Sequence, residues 1–321
     1  MTVLVTGAAG FIGSHVSRAL LARGEKVVGI DNFSEYYDPI LKFARLKPLR
    51  DDRGFTFVEG DITDREAMAE LAAKNLDIDR VIHLAAQPGV AHSAVDPFAY
   101  LQANMLGHLV MLELARAMKK LKHFVYASSS SVYGANPLPF SVADRVDTPT
   151  SFYAATKRAA ELMSESYARQ HGLKLTGLRY FTVYGPWGRP DMSPYMFAKA
   201  IHEGQKIKLS HLGFAKRDYS YIDDIVDGTL AILDWPSQEP GHRLYNLGAA
   251  RSEDVLRVIS LFEKLFGKEA KIELRQAEPG DLLQTAADIA ETTRDFDWKP
   301  KVTVDEGIPK FVEWFKKYNR L

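Results

Sequence analysis

The chain contains no cysteine. Disulfides, thiolate metal sites and a cysteine nucleophile are therefore excluded, although the absence leaves the compartment open. Net charge is also missing: Lys plus Arg total 41 and Asp plus Glu total 41, so the formal charge is zero. A neutral chain lacks the basic footprint of a nucleic-acid binder, and no nucleic-acid partner is expected. No apolar run approaches the ~18 residues of a membrane span. Repeats and low-complexity tracts are absent as well. The first strand is expected to begin at Thr2 or Val3, leaving no room for a signal peptide, so the expected location is cytoplasmic. What remains is an ordinary globular composition, 46% hydrophobic and 26% charged over 321 residues. That length suits one large domain or two unequal ones.

Short runs rich in Val, Ile and Leu alternate with helical patterns: Val3–Thr6, Lys26–Ile30, Phe55–Val58, Arg80–Ala85, His123–Ser128, Leu173–Tyr180 and Arg243–Leu247. Strands this apolar, without a clean period of two, suit a parallel sheet covered on both faces. Amphipathic stretches such as Ile12–Arg23 and Asn104–Lys119 lie between them. The alternation predicts an α/β fold of the Rossmann type, a doubly wound parallel sheet with right-handed crossovers. After Tyr180 the pattern changes. Tyr184–Pro194 is rich in Gly, Pro and aromatics and reads as a loop over a site. From Arg251 the chain is helical again, then irregular from Glu278, with a last helix near Ile308–Tyr318. The expected division is a larger domain of residues 1–180 and 217–248, and a smaller, mostly C-terminal α/β domain of residues 181–216 and 249–321.

Gly7-Ala8-Ala9-Gly10-Phe11-Ile12-Gly13 follows the first strand and opens the first helix. So tight a turn needs glycine, and phosphate oxygens reach the backbone only where no Cβ intervenes. The helix N-terminus adds free N–H groups and partial positive charge for a pyrophosphate. A second strand follows and ends in Asp31, at the distance of an acid that bonds the adenosine ribose diol. A carboxylate there repels a 2′-phosphate, and no arginine stands beside it, so NAD is the expected cofactor. Asn32 adjoins Asp31 on this cofactor side. Asp61, with Ile62, closes the third strand and is a candidate for the adenine.

Tyr-x-x-x-Lys occurs twice, at Tyr153/Lys157 and at Tyr195/Lys199. Residues four apart share a helix face, so either pair could set an ammonium beside a phenol. Chain order separates them. Tyr153 follows the strand His123–Ser128 and its serine run, whereas Tyr195 follows the irregular Trp187–Pro194 and reads as an ordinary helix residue. A free tyrosine has a pKa of ~10, too high for a base at neutral pH. A nearby ammonium and a positive nicotinamide are expected to lower it. Ser129 is placed to hydrogen-bond the same substrate hydroxyl.

Gly7–Gly13, the run Ser128-Ser129-Ser130-Ser131-Val132-Tyr133-Gly134 and Tyr153–Lys157 together resemble the extended short-chain dehydrogenase/reductases acting on nucleotide sugars. The likeness extends over Arg217–Asp224 and Trp298-Lys299-Pro300. More narrowly, Leu178–Met192 is similar to the UDP-glucuronate 4-epimerases. The resemblance implies NAD, a UDP-sugar substrate, a catalytic set of Ser129, Tyr153 and Lys157, and a homodimer paired through the helices at 104–119 and 151–170. It implies that Arg217 and Arg189 grip the diphosphate and that Asp281, in Pro279-Gly280-Asp281, contacts the uridine ribose. Ser130 and Thr182 would bond a C6 carboxylate, Thr182 standing where the neutral-sugar epimerases have asparagine. Leu84-Ala85-Ala86-Gln87, Asn104 and Tyr180 match positions lining the NAD site. The pattern departs at Gly89-Val90-Ala91, where uronate epimerases often have Gly-Val-Arg.

The serine run also separates the family's reactions. Sugar 4,6-dehydratases place Asp-Glu after the catalytic Ser/Thr, because loss of water needs an added acid and base. Uronate decarboxylases typically have glutamate where Ser131 stands. With neither carboxylate present, reversible oxidation at C4 is the expected chemistry. The alternatives are a C4 epimerase of neutral UDP-hexoses, a UDP-glucuronate decarboxylase using other residues, and a silent NAD-binding regulator.

Overall fold

The structure is a computed structural model and describes residues 1–74, 77–235, 239–277 and 280–321. Glu278 and Pro279, where the sequence suggested a change to irregular chain, lie outside the described residues.

The main sheet contains β1 (Thr2–Thr6), β2 (Lys26–Asp31), β3 (Phe55–Glu59), β4 (Ile78–His83), β5 (His123–Ser129) and β6 (Lys174–Tyr180). A late strand, Gly241–Leu247, joins its edge. All seven are parallel, and the late strand pairs with β6 from Gly241/Lys174 to Leu247/Tyr180. The order across the sheet runs from the late strand through β6, β5, β4 and β1 to β2 and β3. Winding proceeds one way from β1 to β3 and the other way from β4 onward. The crevice at the strand C-termini therefore opens between β1 and β4, the expected ligand position of such a sheet.

Side chains alternate across the strands. Val3 and Val5 join the core cluster on one face, while Leu4 joins the cluster on the other. Both faces are thus buried, which is why the strands read as continuous apolar runs. Helix α1 (Phe11–Ala22) follows β1, α2 (Ile40–Arg50) follows β2 and α3 (Arg65–Lys74) follows β3. After β4 comes a short helix, α4 (Pro97–Tyr100), a π-helical turn at Leu101–Leu106 and α5 (Gly107–Ala117). The single helix expected from Asn104 to Lys119 thus starts within a wide turn and ends two residues early. Gly107 opens α5 where a Cβ would stand 2.6 Å from Ile62, so the helix start packs close against the chain after β3.

Helix α6 (Phe152–His171) starts sharply. Ser151 caps it by accepting from the Ala154 N–H at 3.1 Å, and Gly172 ends it in the left-handed region.

Beyond β6 the chain makes β7 (Thr182–Tyr184), then the expected loop, then α7 (Ser193–Glu203). Small sheets follow, which the sequence pattern did not anticipate. Strand β8 (Lys206–Leu209) pairs with Lys271–Leu274, and β9 (Lys216–Arg217) with Glu253–Asp254. Strand β10 (Tyr219–Tyr221) pairs with β7. These strands are two to four residues long, too short for a periodic signal. Helix α8 (Ile222–Leu233) returns to the main sheet. The helices α9 (Val255–Phe266), α10 (Ala290–Phe296) and α11 (Val304–Tyr318) complete the C-terminal part. No helix among the described residues is long and apolar enough to cross a membrane.

Candidate active site

One cleft of about 960 Å³ opens at the strand C-termini and runs from the glycine turn to Arg217 and Asp281. At its floor, Gly7 has φ +71°, and a Cβ there would stand 2.9 Å from the Ala85 nitrogen. A Cβ on Gly13 would lie 2.0 Å from the Gly7 carbonyl oxygen. Gly10 begins α1 with no side-chain cap, so the first N–H groups stay open to the cleft. Phe11 and Ile12 line the same wall. A cradle that side chains would fill, ending on free amides, fits a dinucleotide pyrophosphate.

Asp31 closes this end. Its carboxylate accepts from the Ala9 N–H at 3.1 Å and the Phe33 N–H at 2.9 Å, so it also holds the glycine turn in shape. No arginine ion-pairs with it among the described residues, as expected, but a lysine stands near it. Lys42 of α2 places its Nζ 4.0 Å from Asp31 while donating to the Ser34 carbonyl at 2.8 Å. Asn32 donates to Asp61 at 2.8 Å, and Asp61 accepts from the Thr63 N–H and hydroxyl. Ile62 lines the same cleft, as do Leu84, Ala85, Ala86 and Gln87.

Asn104 is placed differently from the expectation. It does not line the cleft. Its oxygen accepts from the Gln87 N–H at 2.7 Å, while its amide donates to the Gln87 carbonyl at 3.0 Å and to Thr156 at 3.1 Å. The side chain is buried with both amide hydrogens donated, so it supports the cleft wall from behind.

Tyr153 stands in the first turn of α6, aimed into the cleft, with Lys157 one turn deeper. Lys157 Nζ lies 5.9 Å from the Tyr153 ring centre and donates to the Ala127 carbonyl at 2.9 Å. Burial pushes its pKa down to about 8, Arg189 adds to that effect, and Glu161 opposes it. Tyr153 moves opposite to the expected direction: burial raises it above the ordinary tyrosine value. A hydrogen bond with Ser129 and the charge of Arg189 act the other way. The physical reason is that the phenol is taken out of water, and desolvation of its charged form is the largest influence on it.

Ser129 ends β5 and accepts from the Ser131 N–H at 3.2 Å and the Ser131 hydroxyl at 2.9 Å. Ser130 and Thr182 line the adjoining wall, half-buried. No carboxylate adjoins Ser129 in the serine run. Tyr180 also faces the cleft, its hydroxyl tied to Thr229 at 2.9 Å. Beneath α6, Glu161 accepts from Ser128 at 2.6 Å and from Arg179 at 2.8 and 2.9 Å. That buried group fastens β5, β6 and α6 together directly behind the catalytic set.

Both expected arginines are present and both are paired, Arg189 close enough to the catalytic set to act on Tyr153 and Lys157, Arg217 at the far end of the cleft. Arg189 holds Asp191 through Nε at 3.0 Å and Nη2 at 2.5 Å. Arg217 donates to Asp281 at 2.6 Å and to the carbonyls of Lys216 and Leu283. The buried Asp218 fixes the strand carrying Arg217 by accepting from the Ala249 and Ala287 N–H groups at 2.6 and 3.0 Å. Tyr195 stands apart, packed on Phe311 and Phe315.

Sequence reasoning missed Lys42, Tyr36 and Asp191 at the cleft, and Arg45 behind it. Tyr36 donates to Asp191 at 3.1 Å across the cleft mouth. A tyrosine in a loop carries no signal of a partner 155 residues away. Among the described residues, no cluster of three or more acidic or histidine side chains could hold a metal.

The description "NAD dependent epimerase/dehydratase family" matches residues 3–248. The chain belongs to that family. A further epimerase, UDP-glucuronate 4-epimerase 4 of Arabidopsis thaliana, is 43% identical over 333 residues, covering 99% of this chain and 76% of the plant protein. The solved UDP-glucuronic acid 4-epimerase of Bacillus cereus, in complex with UDP-glucuronic acid and NAD, superposes with a TM-score of 0.93 at 35% identity. That match covers 99% of this chain and all of the other, 100%. The UDP-glucose 4-epimerase of Thermotoga maritima gives 0.89 at 31% identity, covering 99% and 100% of the two chains. Fold and cofactor class thus agree with what the glycine turn and Tyr153/Lys157 implied.

Proposed function

We propose that this NAD-dependent epimerase inverts C4 of a UDP-hexuronate, converting UDP-glucuronate to UDP-galacturonate through a 4-keto intermediate. The observation that carries the reading is the grouping of Tyr153, Lys157 and Ser129 beside the glycine cradle with no carboxylate adjoining Ser129. The likeness over nearly the whole chain to uronate epimerases of plant and bacterial origin supports the sugar.

Ser129 holds the 4-hydroxyl and Tyr153, entering the step as the phenolate, takes its proton to become the phenol, returning it after the sugar has turned about its diphosphate tether. Lys157 keeps positive charge beside the phenol. NAD, when bound on the Gly7–Gly13 cradle and Asp31, supplies reversible acceptance of hydride from C4. Arg217 and Arg189 hold the diphosphate, the bidentate geometry for which guanidinium is suited. Asp281 reaches the uridine ribose. Ser130 and Thr182 hold the C6 carboxylate. A 4-keto uronate is a β-keto acid that loses CO₂ easily, and holding its carboxylate resists the twist this requires.

In the same reading, residues 1–180 and 217–248 form the NAD half, and residues 181–216 and 249–321 the UDP-sugar half. A homodimer pairs through α5 and α6, whose outer surfaces leave Leu109 and Leu162 exposed.

The test is to incubate purified protein with UDP-glucuronate, UDP-glucose and UDP-galacturonate in turn and resolve products by NMR. C4 epimers from the two uronates alone are expected. A UDP-pentose as main product, or turnover of UDP-glucose at a similar rate, overturns the reading.

A further inference from the structure

Arg45 of α2 is among the most deeply buried side chains in the protein, 1% exposed, and among the described residues it forms no ion pair. Burying a charge without a counter-ion is costly unless every donor is met. Here oxygens from three segments meet them. Nε and Nη2 donate to the Trp187 carbonyl at 3.0 and 2.7 Å, and Nη2 also reaches the Gly188 carbonyl at 3.2 Å. Nη1 donates to the Tyr37 hydroxyl at 2.7 Å and to the Ala9 carbonyl, in the glycine turn, at 3.4 Å.

The segment it grips is unusual. Trp187 has φ +66°, a left-handed backbone that a bulky residue rarely adopts without outside restraint. The Gly188 N–H closes the turn on the Gly185 carbonyl at 3.0 Å. Arg189 comes next, bound to Asp191, and Asp191 accepts from Tyr36. Tyr36 and Arg45 belong to the same stretch after Asp31. The turn leading to Arg189 is thus fastened twice to the cofactor side, once through backbone carbonyls and once through a carboxylate.

We propose that Arg45 is a positioning residue. By holding the carbonyls of Trp187 and Gly188 it sets where the Arg189 guanidinium stands, so the cofactor half of the cleft fixes the geometry of the sugar-nucleotide half. This rests on Arg189 as a contact to the UDP-sugar. Two guanidinium nitrogens converge on one carbonyl, a fork that lysine does not reproduce. Methionine fills the space and removes the grip.

The experiment compares R45M, R45K, R189A and R45M/R189A as purified holoenzymes, measuring KM and kcat for UDP-glucuronate, bound NAD and thermal stability. R45M is expected to raise KM about tenfold with kcat and bound NAD nearly unchanged, R45K less, and the double variant no more than R189A alone. Multiplicative effects in the double variant overturn the proposal, as does an R45M enzyme with lowered melting temperature and unchanged KM. If R45M fails to fold, R45K and R45K/R189A carry the same comparison. An unchanged KM in R189A overturns instead the reading of Arg189 as a substrate contact, and the two failures are thereby told apart.

Discussion

The two ends of the cleft are built from different materials. The cofactor end is made largely of backbone: glycines that leave no room for a Cβ, open amides at the start of α1, and Asp31 accepting one N–H from the glycine turn and one from its own loop. The substrate end is made of ion pairs, Arg189 with Asp191 and Arg217 with Asp281. Backbone cannot be exchanged for a ligand, whereas an arginine can pass from a carboxylate to a phosphate at modest cost. The contrast matches an enzyme that keeps its cofactor through many turnovers and releases its sugar nucleotide after each.

The sharpest way to separate the ends is to remove the reacting group between them. Tyr153→Phe should lower kcat by at least about 10²–10⁴-fold while leaving NAD bound, since the phenol carries the proton and the cradle does not need it. Absorbance of released cofactor and NMR turnover check the two halves of that statement. Breaking the cofactor end comes next. Gly13→Ala drives a Cβ against the Gly7 carbonyl, and it should strip NAD and cost about 1–3 kcal/mol in thermal unfolding. Arg217→Met should raise KM for the UDP-sugar by about tenfold or more while bound NAD stays at the level of the parent, as read by kinetics and by cofactor content.

The smallest effect is a pH limb. Lys157 is held at about 8, below its ordinary 10.5. Activity that depends on its ammonium persists below that value and is lost as pH rises through it, so kcat should fall with a midpoint near 8. Stability carries the opposite sign. Between about 8 and 10.5 the unfolded chain binds the extra proton, so this lysine's contribution to stability rises with pH across that window. A profile flat to pH 10 would contradict the assignment.

Most of the sheet was legible in the sequence. The seven apolar runs became the seven strands within two residues at each end, because strands buried on both faces need no periodicity to stand out. The cofactor end was legible for a related reason: close backbone approach demands glycine at fixed positions, and a fixed demand leaves a pattern. The arginines were visible, but their partners were not. Arg217 meets Asp281 across 64 residues, and Arg45 meets peptide carbonyls across 142. A carbonyl acceptor has no residue identity, so nothing in the sequence marks it. Lys42 escaped for a similar reason, since only the turn after Asp31 brings α2 back toward that carboxylate. The direction of the Tyr153 shift depended on burial, which two residues one helical turn apart do not reveal.

Asn104 has a consequence of another kind. Its side chain donates to and accepts from the Gln87 peptide, as a neighbouring strand would. The connection after β4 therefore gains one rung of ladder where the sheet has already ended. Because that rung also touches Thr156, next to Lys157, the loop and the catalytic helix share a single splice. An aspartate at this position would set a carboxylate oxygen against the Gln87 carbonyl. The splice thus tolerates an amide and rejects its closest isostere.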